Sequence, residues 1–186
     1  MLLPVCSFAR RLSTEQEIYA SALRALMRRA HSIHEMREYL ERRADDKEII
    51  SSVIARLREL TYLDDARYAA DYARQHAQSR HQGRFRIARE LRSRGVPDRH
   101  IDAALAVVFS ETDEAALVRA RLKSSLAHVR GALDHRRIAS ISRSLLRAGF
   151  SADTIRAELR LLLGQVEGGV IREDVPELDK PIPGDG

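Results

Sequence analysis

Residues 36–54 read MREYLERRADDKEIISSVI, residues 87–105 read IARELRSRGVPDRHIDAAL, and residues 141–159 read ISRSLLRAGFSADTIRAEL. Aligned, Met36, Leu40, Ile50 and Ile54 fall against Ile87, Leu91, Ile101 and Leu105, and again against Ile141, Leu145, Ile155 and Leu159. Apolar side chains at four-residue steps form the stripe of an amphipathic helix. Each copy therefore reads as the end of one helix, a turn, and the start of the next. The turn falls four residues after the leucine, where Gly95 and Gly149 offer the left-handed conformation that ends a helix at low cost. Ala44 occupies that place in the first copy, so its turn is expected to differ.

Working outward, Ser32-x-x-Glu35 is a capping box, Asp64 and Ser151 are placed to cap later helices, and Pro97 beside Gly95 prevents read-through. The pattern predicts helices at 14–30, 32–43, 46–60, 64–79, 84–94, 98–109, 111–129, 134–148 and 151–164. They fall into groups of three. The expected fold is all-α: three tandem three-helix repeats, 14–61, 62–109 and 110–164, forming an elongated, curved array. A flexible N-terminal segment, 1–13, precedes it, and an acidic Pro/Gly-containing disordered tail, 165–186, follows. A repeat of about 50 residues buries too little surface to be robust alone, so neighbours must support one another.

Composition agrees. The 186 residues are 44% hydrophobic and 32% charged, which is globular, and the absence of tryptophan with only 5% aromatics disfavours β architectures. Cys6, a lone cysteine, can make neither an internal disulfide nor a cysteine-rich metal site. The opening is apolar first and basic second, at Arg10-Arg11, the reverse of a secretory signal. No apolar stretch approaches the roughly 18 to 20 residues of a membrane span. A cytoplasmic monomer is expected. No glycine-rich loop follows a strand, His31-x-x-His34-Glu35 lacks the spacing of a metalloprotease helix, and no serine, histidine and aspartate fall at a suggestive spacing. No catalysis, cofactor or metal is expected.

Charge carries the functional signal. The formal net charge is +5, yet residues 166–186 hold six acids against Arg172 and Lys180, leaving residues 1–165 strongly basic. Such a body points to a polyanionic partner or an acidic protein surface. Between Arg80 and Arg94 stand six arginines, with Glu90 the sole acid. With Ile87, Ala88 and Leu91 facing the core, Arg86 and Arg89 point outward, Arg92 flanks them and Arg84 opens the helix. These arginines are expected to lack acidic partners at i±4. With Ile138, Ile141 and Leu145 inward, Arg136, Arg143 and Arg147 share the outer face of the third repeat. The first repeat is expected to show Glu35 and Glu38 where the second shows Arg86 and Arg89. Tyr62, Tyr68 and Tyr72 offer rings for stacking on bases, but with Tyr68 and Tyr72 an i,i+4 pair on one face they read as half-buried packing between repeats.

Three stretches also resemble one family. Arg28-Arg29-Ala-His31-Ser32-x-x-Glu35-Met36 resembles the "RREHSxxEL" opening of the RecX regulatory proteins. Tyr62-Leu63-Asp64-Asp65-Ala-Arg67-Tyr68-Ala69 is similar to their "YLDDxRYA" element, and Gly83-Arg84-x-Arg86-Ile87-x-x-Glu90-Leu91-x-x-Arg94-Gly95-Val96 to their "GxxRIxxELxxKGI". The departures are Ala30 for glutamate and Ala44 for the turn glycine. The resemblance implies a cofactor-free helical protein that binds the RecA recombinase filament on DNA and restrains its ATP hydrolysis, strand exchange and growth. It leaves room for weak contact with single- or double-stranded DNA without sequence preference. The residues alone also fit a free-standing DNA- or RNA-binding helical module, or a structural adaptor.

Overall fold

A computed structural model describes residues 11–127 and 134–166. Cys6, most of the expected flexible N-terminal segment, and the acidic tail beyond Val166 lie outside the described residues. Among the described residues the chain is built from helices alone: α1 Glu15–Leu26, α2 Ile33–Glu41, α3 Lys47–Glu59, α4 Asp65–Arg80, α5 Arg84–Arg92, α6 Asp98–Glu111, α7 Glu114–Leu126, α8 His135–Arg147 and α9 Ala152–Val166. None is long and apolar enough to cross a membrane.

Short polar side chains set the helix starts by accepting hydrogen bonds from backbone N–H groups that a helix leaves unsatisfied. Thr14 and Ser32 form full capping boxes with Glu17 and Glu35. Asp46, Asp64, Asp113, Asp134 and Ser151 cap α3, α4, α7, α8 and α9. Asp113 thereby delays α7 to Glu114, later than the expected 111. The expected first helix, 14–30, stops at Leu26, because Arg29 is drawn to Glu35 and Ser32 must be free to open α2.

Gly95 and Gly149 have φ of +70° and +89°, as their turns require. Ala44 takes no positive φ. Its turn is closed differently: the Leu12 N–H donates to the Arg43 carbonyl at 2.8 Å, bridging Leu12 to Ala44, and Arg11 pairs with Asp45. Residues 11 and 12 are thus held to the α2–α3 turn, within a segment expected to be flexible.

The described residues divide into two compact units, unit 1 (residues 11–69 and 91–101) and unit 2 (residues 70–90, 102–127 and 134–166). In unit 1, α1, α2 and α3 pack pairwise around Ile18, Met36, Leu40, Ile50, Val53 and Leu57, each fully buried. In unit 2, α7, α8 and α9 do the same around Val118, Leu122, Leu145, Phe150, Ile155 and Leu159. Of the aligned anchors only Leu105 and Ile141 are half-buried, and the others are buried. Leu91→Ala or Leu145→Ala is expected to lower the unfolding free energy by about 2 to 5 kcal/mol, the usual result of deleting a buried leucine. Urea denaturation checks this, and a parental midpoint in both variants contradicts the register.

Candidate functional site

Residues of the three quoted motifs meet in unit 1 as a polar lock. Glu35, whose side chain is only 14% exposed, receives Arg94 at 2.6 Å, Arg29 at 3.0 Å, the Ser32 N–H at 3.2 Å and the Tyr68 hydroxyl at 3.3 Å. Ser32 Oγ accepts from the Glu35 N–H and donates to the Arg94 carbonyl at 2.5 Å. Asp65 accepts from the Ile33 N–H at 2.9 Å. Burial pushes the Glu35 carboxyl up, but the Arg29 hydrogen bond, the Ser32 N–H and the charges of Arg29 and Arg94 outweigh it and hold the group below its ordinary value. His31 is buried with Nδ1 3.0 Å from the Arg29 carbonyl, whereas His34 is exposed beside Glu38, so the pair serves two different surroundings.

Glu35 is therefore not the outward-facing acid the sequence suggested. Glu38 is, at 52% side-chain exposure, near His34 and Arg42. Nor are the tyrosines alike. Tyr68 is buried, Tyr72 half-buried, and Tyr62 is 53% exposed, which corrects its reading as a packing residue.

The arginines of α5 also divide. Arg86 Nε donates to Glu90 Oε1 at 2.7 Å, the i,i+4 partner expected to be missing. Glu90 is itself held, accepting from the Tyr72 hydroxyl at 2.7 Å and lying 3.5 Å from buried His76. His76 stacks on Tyr72 with ring centroids 3.8 Å apart and lies 2.7 Å from the Gln82 side chain. Burial raises the Glu90 carboxyl, yet the hydrogen bonds from Tyr72 and Arg86 prevail and keep it lowered. Arg92 belongs to unit 1, where its Nε donates to Asp98 at 2.6 Å. Arg84 lies over the Phe109 ring at 5.1 Å. Arg89 is exposed, with no hydrogen-bond or ion-pair partner among the described residues.

On α8, Arg136, Arg143 and Arg147 are exposed and likewise unpaired among the described residues, and their i, i+7, i+11 spacing puts them on one stripe. Within unit 2, the start of α5 and the end of α8 are brought together. The Gly83 N–H donates to the Ala148 carbonyl at 2.9 Å and the Phe85 N–H to the Gly149 carbonyl at 3.1 Å. Arg147 thus closes α8 beside the turn on which Arg84 and Arg86 begin. Arg121, unnoticed in the sequence, adds to the same region: its guanidinium donates to the His81 carbonyl at 2.8 Å and the Arg80 carbonyl at 3.1 Å. Burial and then the nearby Arg86 charge lower its pKa.

Residues 19–57 match the first three-helix domain of RecX, and residues 64–105 match the second. Regulatory protein RecX of Chlorobaculum tepidum is 32% identical over 144 residues, 77% of this chain and 87% of its own. Regulatory protein RecX of Halorhodospira halophila is 37% identical over 146 residues, covering 78% and 88%. This chain belongs to the RecX family. The crystal structure of RecX from Lactobacillus salivarius has the same fold, with a TM-score of 0.70 over 80% of this chain and 96% of that one, at 23% identity. As a RecX-family regulatory protein it is an all-α tandem array of helical domains. Most motif residues that carried the resemblance prove architectural here: Ser32, Glu35, Asp65, Tyr68 and Arg94 hold unit 1 together, while Glu90 fixes Arg86. The unpaired arginines belong to unit 2 and are not members of that lock.

Proposed function

We propose that this chain binds the RecA–DNA filament and restrains RecA ATP hydrolysis, strand exchange and filament growth, acting by binding alone and without turnover of its own. Family membership supports the partner. The observation that carries the site is the set of exposed, unpaired arginines of unit 2, Arg89, Arg136, Arg143 and Arg147, with Arg84 and Arg86 on the turn that meets the Arg147 end of α8. Planar guanidinium groups suit both carboxylates and phosphates, so the face fits acidic recombinase surfaces and the DNA strand that the filament holds. Arg92, committed to Asp98, contributes less. The same reading places the protein in the cytoplasm as a monomer, with repeats bounded at 14–61, 62–109 and 110–164.

Adding the purified chain to RecA on single-stranded DNA is expected to slow ATP hydrolysis and strand exchange in proportion to the amount added, while the chain alone hydrolyses no ATP. A RecA-independent ATPase that copurifies through several columns would contradict the binding-only reading. Unchanged RecA rates at saturating chain would contradict the partner.

A further inference from the structure

Phe85 is a large apolar ring left in water. It is 60% exposed in the first turn of α5, although Ile87 and Ala88 two and three residues on are buried. At about 100° per residue, Phe85 and Arg89 lie about 40° apart on the side away from those buried positions, as an i,i+4 pair. Arg89 is exposed and unpaired among the described residues. Arg84 and Arg86 flank the ring along the helix, and Arg121 lies close enough to Arg86 to feel its charge. Of the acids in this unit, Glu90 is engaged by Arg86 and Tyr72, and Glu114, a half-buried group, feels the charge of Arg84.

Aromatic side chains exposed in this way mark contact surfaces. The surroundings discriminate between partners. The core of a protein–protein interface gathers several apolar side chains about its anchor, whereas the exposed neighbours of Phe85 on α5 are arginines. A nucleobase is the complementary object, an isolated π face with a phosphate on either side, and its face is free only when the strand is unpaired. We propose that Phe85 is a stacking platform for a base of single-stranded nucleic acid, with Arg89 and Arg84 holding the neighbouring phosphates. This rests on the basic-face reading above and deepens it, naming the DNA strand as what α5 touches.

The chain has no tryptophan, so Phe85→Trp in the full chain gives a single fluorescent reporter at the site. Titration with a thymidine oligonucleotide of about 15 nucleotides, within the span such sites cover, is expected to quench the indole, and an abasic oligonucleotide of equal length to leave it bright. Phe85→Ala should bind the thymidine strand about tenfold more weakly, the effect of losing one stacked base, and the abasic strand as the parent does. Phe85→Leu, apolar but without a π face, should remain weak, and Phe85→Tyr should restore binding. Arg89→Gln should weaken both strands and flatten the salt dependence by about 0.7 in log–log slope. Equal affinity of Phe85→Ala and the parent for the thymidine strand overturns the proposal. If that equality is joined to lost pelleting with RecA–DNA filaments, the ring meets protein: stacking fails and the filament reading stands. Quenching by thymidine without any pelleting of the parent keeps the stacking proposal and removes the filament reading.

Discussion

Glu35→Arg is expected to lower the stability of unit 1 by about 3 to 5 kcal/mol, the loss that follows when a buried charge is left opposite unpaired partners. The change removes the acceptor shared by Arg29, Arg94, Tyr68 and the Ser32 N–H and adds a third cation beside two arginines. Most of a domain's margin is of that size. Glu38→Arg, on the exposed face of the same helix, should change stability by no more than about 0.5 kcal/mol. Urea unfolding of the two variants measures the difference, and equal midpoints would contradict the lock. The pH dependence has a definite sign. The Glu35 pKa is depressed in the fold, so its contribution is full above the unfolded value, 4.5, and is lost as pH falls through the folded one. His31 is also lowered, by burial first and then by Arg29, so acidification below its ordinary 6.5 already favours the unfolded chain. Unit 1 should weaken in two stages on acidification. Glu114 in unit 2 runs the other way, raised by burial, and its contribution is lost as pH rises.

Gly149→Ala is expected to lower the stability of unit 2 by about 2 to 5 kcal/mol. A left-handed backbone costs a non-glycine residue about 1 to 2 kcal/mol, and overpacking a tight contact adds about 1 to 3. Gly149 has φ of +89°, and a Cβ there meets the backbone nitrogen and Cβ of Arg86, with its Cα at 2.8 Å. Backbone is in the way, so no rotamer change relieves the clash. Gly83 faces the same junction, its missing Cβ leaving room for the Gly149 carbonyl. Separating these two backbones also moves Arg84 and Arg86 away from Arg147, so binding should suffer with stability. Gly164→Ala is the control: nothing lies within 4 Å of a Cβ there, and alanine in a helix should gain about 0.5 to 1 kcal/mol. Thermal melts of the two variants should therefore move in opposite directions, and a Gly149→Ala melt at the parental temperature would contradict the account of the junction.

The helical register was legible because periodicity and caps are local. Leu40, Leu91 and Leu145 declare their buried faces within two turns, and Ser32, Asp64 and Ser151 declare helix starts within three residues. Ala44 announced an unusual turn, but that Leu12 would close it depends on a partner 32 residues away. Glu35 was misread for the same reason: its decisive neighbours, Tyr68 and Arg94, are 33 and 59 residues distant. The Arg86–Glu90 pair is local and readable at i,i+4, because the one acid among six arginines sits a single helical turn from Arg86. Arg121 and the Gly83–Gly149 approach are tertiary and leave no periodic trace. Phe85 could have been found on the helical wheel, since the positions that bury Ile87 and Ala88 leave it outside.

The central claim is that unpaired arginines of unit 2 bind the RecA–DNA filament, and co-sedimentation tests it most directly. The parent and an Arg89→Gln/Arg143→Gln/Arg147→Gln variant are spun with RecA filaments on single-stranded DNA at two salt concentrations. These side chains make no hydrogen bond, ion pair or ring contact among the described residues that the variant would break, so its melt should match the parent's. At about 0.5 kcal/mol for each exposed charge contact, three losses predict pelleting about tenfold weaker at low salt, with the gap narrowing as salt screens the parent. A variant that folds normally and pellets like the parent at both salts would contradict the claim.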